Sequence, residues 1–115
     1  MTLEQIDIAI AEHLEWSEIK VGEGARIWGN RPNSAGQDYR KAAVPQFHCC
    51  LNAMHWAELF LQQDDPQAYA SYCLDLLSDG LISAVSKTAY ERAERFLRTI
   101  GKWQEPDKLS THIAV

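Results

Sequence analysis

Leu51-Asn52-Ala53-Met54-His55-Trp56-Ala57-Glu58-Leu59-Phe60-Leu61, continued by Gln62 and Gln63, is the longest stretch of this chain able to bury a broad surface. At about 100° per residue, Ala53, Met54, Trp56, Ala57, Phe60 and Leu61 share one continuous arc, and His55, Glu58 and Gln62 gather opposite. The spacing predicts an amphipathic helix over 51–63 whose apolar face is wide enough for more than one neighbour. That helix is expected to be the structural centre, packed between a sheet and another helix or against a second copy of the chain. Its His55/Glu58/Gln62 stripe is the part with polar groups to offer.

Downstream, Asp64-Asp65-Pro66 stops the helix, because a residue before proline is biased away from helical backbone. Asp65 can cap the next element, with Pro66 at its first position. Tyr69, Tyr72, Cys73, Leu76 and Leu77 then recur at helical spacing, which favours a helix over 66–78. Tyr72, Leu74 and Leu76 also alternate, which leaves a strand near 70–77 as the alternative. Leu81-Ile82-Ser83-Ala84-Val85 is a short apolar run expected to supply an extra strand. Thr88-Ala89-Tyr90-Glu91 has capping-box spacing and opens a helix over 89–100. Ala89, Ala93, Phe96, Leu97 and Ile100 line its inner face, and Glu91/Arg95 and Glu94/Arg98 are spaced as ion pairs. Gly101 is placed to end it, and Trp103 is expected to fold back.

Upstream, Thr2-Leu3-Glu4-Gln5 is a second capping box, and Leu3, Ile6, Ala9, Ile10 and Leu14 predict a helix over 3–13 with Asp7, Glu12 and Glu15 facing water. From Trp16 the period shortens to two. Residues 16–28, with Gly22-Glu23-Gly24 as the link, read as a β-hairpin whose Ile19, Val21 and Ile27 face the core. Residues 29–46 show no sustained period and read as a long loop, either a surface connection or a functional segment.

The chain has 115 residues, a formal charge of −5 and a pI near 5.3, sufficient for one domain over 1–104 with a polar tail over 105–115. No Lys/Arg block exists to displace counterions from a phosphate backbone, so nucleic acid is not an expected partner. No apolar run approaches bilayer-spanning length, and the first residues lack a signal-peptide pattern, so a cytoplasmic location is expected. Cys49, Cys50 and Cys73 are expected to be free thiols.

Two clusters have chemistry to weigh. His48, Cys49, Cys50, His55 and Glu58 could supply metal ligands or a thiol nucleophile, but no HExxH, CxxC or second histidine at matching spacing accompanies them. No metal or other cofactor is therefore expected, and with no nucleophile elbow, P-loop or dinucleotide fingerprint, a non-enzymatic protein is the leading reading. The sharper site is a border of the long loop. Arg26, Trp28 and Arg31, beside Arg40 and Lys41, could stack on and neutralise a small anionic ligand, together with His55, Glu58 and Gln62 of the central helix.

Leu51-Asn52-Ala53-Met54-His55-x-Ala57-Glu58 and Glu91-Arg92-Ala93-Glu94-Arg95-Phe96-Leu97-Arg98-Thr99-Ile100-Gly101-Lys102-Trp103 resemble a family of small phage and prophage proteins described as phage α-β-α ("ABA") sandwich domains. The similarity takes in the N-terminal helix, the Trp and Gly-rich hairpin after it, and Pro45-Gln46-Phe47. The family pattern has acidic residues where this chain has Cys50 and Trp56, which departs from it at two surface positions. The resemblance implies phage origin and a layered α+β fold, and no particular activity.

The expected fold class is thus α+β, a small antiparallel sheet with helices packed on it in a layered sandwich. The expected function is a non-enzymatic phage accessory protein that binds a host or phage protein, with inhibition of a host defence system the version to test first. A small-molecule or nucleotide-binding protein using Trp28 and the loop arginines is one alternative, and a metal- or thiol-dependent enzyme another. A homodimer is compatible with the broad apolar arc.

Overall fold

A computed structural model describes residues 1–22, 26–31 and 41–105. Its elements run α1 (Leu3–His13), β1 (Ser17–Val21), β2 (Ile27–Asn30), β3 (Lys41–Ala43), α2 (Leu51–Asp64), α3 (Pro66–Leu77), α4 (Leu81–Val85) and α5 (Ala89–Thr99). The three strands form one antiparallel sheet in the order β1-β2-β3. The class is α+β, as the sequence predicts, and a small sheet joined to five described helices fits the layered sandwich.

Local chemistry accounts for most element ends. Thr2 Oγ1 accepts from the Gln5 amide at 3.1 Å while Gln5 Oε1 accepts from the Thr2 amide at 2.7 Å, closing the box that starts α1. Thr88 and Glu91 repeat it at α5, at 3.2 and 2.9 Å. Asp65 Oδ1 accepts from the Ala68 amide at 3.1 Å with Pro66 in the first turn, which settles 66–77 as helix. At the far end of α5, Gly101 takes φ +77°. Its amide donates to Arg98 O at 3.2 Å and the Lys102 amide to Leu97 O at 2.8 Å, the paired bonds of a Schellman cap.

α5 is the element on which the helices converge, for it touches α1, α2 and α3. Its Ala93, Phe96 and Leu97 are fully buried, and Phe96 meets the Tyr72 ring edge-on at 5.8 Å. The predicted centre, α2, contacts α3 and α5 instead of lying between sheet and helix. Ile6 and Ile10 of α1, Met54 and Leu61 of α2, and Phe47 of the preceding turn complete the interior. The sheet reaches that core through Ile27 and through Val44 just beyond β3, with Ile19 packed against them. The N-terminal ammonium donates to Gln104 O at 3.0 Å, so residues 1 and 104 lie side by side.

Several expectations are corrected. The loop over 29–46 contains β3, whose Lys41, Ala42 and Ala43 pair with Asn30, Gly29 and Trp28. Three residues are too few for a readable period, so a tertiary partner defines this strand. Leu81–Val85 is a helical turn and not a strand; a short apolar run cannot distinguish the two by periodicity. Val21 is exposed although it pairs with the buried Ile27, because it lies at the end of β1 where the strand leaves the core; pairing is also irregular between Ser17 and Lys20, where Glu18 takes φ +52°. Gly29 permits the close approach there, since a Cβ would stand 3.1 Å from Ile19 Cγ1 and 3.2 Å from Ser17 O. Asp7 is buried rather than facing water. Arg95 turns from Glu91 to Asp75 and Asp79, at 3.0 and 3.3 Å, because Glu91 is occupied in its cap.

The rest of the hairpin link (Glu23 and Gly24), Arg40 and the tail over 106–115 lie outside the described residues.

Candidate functional site

Helix α2 has three sides with different chemistry. Its buried stripe is narrow: Ala53, Met54, Ala57 and Leu61. Trp56, expected on that face, is 72% exposed, and Phe60 is half-buried. The helix is turned so that Glu58, expected in the solvent stripe, looks inward. Glu58 Oε2 accepts from Tyr72 Oη at 2.5 Å and from Arg92 Nη1 at 2.9 Å, and Oε1 lies 3.0 Å from His55 Nδ1. Arg92 Nη2 also donates to Ala84 O at 3.3 Å. One carboxylate therefore ties α2 to α3 and α5, and through Arg92 to α4. Burial, with the Glu58 charge and hydrogen bond adding to it, pushes the Tyr72 hydroxyl far above its ordinary range. Burial alone would lower Arg92, yet the hydrogen bond and charge of Glu58 raise it. A tyrosine locked in its protonated form beside an ion pair does not release its proton at neutral pH, and the buried Arg92 Nε has no hydrogen-bond partner among the described residues. This network is a fastening.

The opposite flank of α2 is apolar and open. Trp56 and Leu59, the latter 48% exposed, wall a groove of about 780 Å³ floored by Leu14, Trp16, Phe47 and Phe60. Pro45 and Ala53 continue the lining, and Arg31 and Gln63 are its polar members. Exposed tryptophan beside aliphatic side chains in a concave surface is the usual composition of a binding anchor point. Among the described residues the lining holds no carboxylate, imidazole or thiol.

A second cavity, of about 560 Å³, lies between α1, β2 and the segment after β3. On its wall the buried Asp7 carboxylate accepts from the His48 amide at 3.0 Å and lies 2.8 Å from His48 Nδ1. Burial raises the Asp7 carboxyl above its ordinary value, against the lowering effect of the two His48 contacts. Arg26 and Glu4 line the same cavity.

The predicted loop-border site is divided by this arrangement. Arg26 faces the Asp7–His48 cavity, and Arg31 belongs to the Trp56 groove. Trp28 stands half-buried on β2, opposite Lys20 on one side and Ala43 on the other, in a shallow hollow with Lys41 and Glu18. His55 is mostly exposed beside the inward Glu58, and Gln62 is exposed. The sulfur and imidazole cluster is likewise separated: His48 engages Asp7, His55 engages Glu58, and Cys49 and Cys50 are exposed free thiols. Among the described residues no group of three or more His, Cys, Asp or Glu is gathered to hold a metal ion, and no helix is long and apolar enough to cross a membrane.

The Asp7–His48 pair spans 41 positions and was not foreseen. One signal was present: Leu3, Asp7, Ile10 and Leu14 share a single helical stripe, so Asp7 interrupts an apolar face. Comparison with known proteins found no matching family model, no matching curated protein and no matching solved structure.

Proposed function

We propose that this chain is a non-enzymatic binding protein that seats an apolar anchor of a protein partner in the groove beside Trp56 and Leu59. The observation carrying this reading is the position of Trp56, a large aromatic left 72% exposed mid-helix where the sequence would bury it. Burying such a side chain on docking is favourable by roughly 1.5–3 kcal/mol. Among the described residues the groove's lining holds no carboxylate, imidazole or thiol for proton transfer or nucleophilic attack. The resemblance of Leu51–Glu58 and Glu91–Trp103 to phage sandwich proteins supplies the setting, an infected bacterial cell with a host or phage protein as the partner. Inhibition of a host defence system is the version to test first.

The test is photocrosslinking from position 59 in lysate of infected cells, compared with a crosslinker at the exposed Glu91 on α5. A partner adduct is expected from position 59 alone and is expected to vanish in Trp56→Ala. Since Trp56 is largely exposed, that variant should melt within about 0.5 kcal/mol of the parent chain. An adduct that survives Trp56→Ala unchanged would defeat the groove reading.

A further inference from the structure

We infer that the Asp7–His48 cavity is a binding site for a small organic hydroxy acid, its carboxylate held by Arg26 and its hydroxyl by His48 Nε2. An ionised carboxylate only accepts hydrogen bonds. With Asp7 Oδ2 at 2.8 Å, Nδ1 carries a ring proton and donates it to the carboxylate, and in that Nδ1–H tautomer Nε2 presents its lone pair. Both Asp7 oxygens are engaged by His48, one by its amide and one by its ring, so the carboxylate fixes the ring. Among the described residues no protein group is bonded to Nε2, and His48 lines the cavity. This is the arrangement by which a buried acid aims an imidazole acceptor at a hydroxyl.

The ligand's remaining chemistry follows from the other walls. The Arg26 guanidinium has no ion-pair partner in the described structure and offers a planar fork that matches a carboxylate. Glu4 and Asp7 in the lining add negative potential, which opposes a doubly charged phosphate about twice as strongly as a single carboxylate. Ile27, Val44 and Leu3 give the cavity an apolar side able to cover a short aliphatic body. The site is separate from the Trp56 groove, and its readout needs no protein partner, so either reading can fail alone.

The experiment is a titration of the histidine-labelled protein with α-hydroxyisocaproate and with isocaproate, which lacks the hydroxyl, followed through the His48 ring resonances. Saturable shifts at His48 are expected, stronger with the hydroxy acid. Arg26→Gln, a surface change, should weaken both acids by roughly tenfold, the scale of one charge-assisted contact. His48→Asn keeps a donor for Asp7 but removes Nε2. It should stay folded, still bind through Arg26 as read by isothermal titration, and lose the preference for the hydroxyl. Absence of saturable shifts at His48 with millimolar hydroxy acid would overturn the assignment, as would equal binding of the two acids by the parent protein.

Discussion

Single residues on this molecule are most informative where the environment opposes their chemistry. Glu58 is one. Replacing it with alanine would leave the Arg92 guanidinium, 16% exposed, and the buried Tyr72 hydroxyl without their shared acceptor. A loss of about 2–4 kcal/mol in urea unfolding is expected. Glu58→Gln, which keeps an acceptor, should lose distinctly less. His13 is a second case. Its ring stands edge-on to Phe60 and Phe96 at 6.0 and 5.7 Å, with Nε2 buried and without a hydrogen-bond partner among the described residues. Burial pushes its pKa below the ordinary 6.5. Above pH 6.5 neither state is protonated there; below it the unfolded chain takes the proton first, so stability falls as pH drops through that window. Thermal melts should therefore show a decline below pH 6.5 that is absent in His13→Leu. Asp7 acts in the opposite sense at lower pH, because its raised pKa makes the native state the better proton acceptor just above 3.8. Neither Asp7 nor Glu58 was legible as buried from the sequence. Asp7 interrupts an apolar stripe, a faint signal, and Glu58 lies on the margin of one; only the arrival of His48 or Arg92 from a distant position decides which way each faces.

Elements were easier to read wherever their ends are written in local chemistry. The boxes at Thr2 and Thr88, the Asp65-Pro66 start and Gly101 each specify backbone geometry within four residues, and α1, α3 and α5 followed the sequence accordingly. Thr88→Ala should cost about 1 kcal/mol through the lost Glu91 amide bond. Gly101→Ala should cost a similar ~1 kcal/mol, because φ is +77° while space is open around it. Equal melting of Gly101→Ala and the parent would show that the Schellman cap contributes nothing. β3 and α4 were unreadable for the converse reason. Each is five residues or fewer, and each is defined by what it lies against: β2 for one, the Arg92 and Lys87 contacts for the other. Lys87 shows how closely that corner is held, for its buried ammonium reaches Asp79 at 3.3 Å and depresses that carboxyl below its usual range.

At the scale of the whole molecule, burial is uneven. α5 gathers three helices around it, whereas β1 and β3 stand at the margins of the described sheet and only Ile27, Gly29 and Ala42 are buried among its strand residues. Amide exchange should therefore be slowest at Ala93–Leu97 and fastest in β1 and β3, with α4 close to the sheet rather than to α5. Uniform protection across these elements would contradict the architecture. The general layout, a small sheet with helices packed on it, was legible because strand-period and helix-period segments occupy separate parts of the chain. The orientation of α2 was not, since a wide apolar arc does not say which of its margins stays wet. The contact between the Met1 ammonium and Gln104 O has a consequence of another kind. A peptide link between Met1 and Gln104, in a chain ended at Gln104, would turn residues 1–104 into a ring, and cutting that ring just after Arg31 would yield a circular permutant with every described helix intact. Such a permutant should keep the parent's helical circular dichroism while presenting one new end at Arg31 on the rim of the Trp56 groove, where a tag fused to it would serve as a steric gate on that surface.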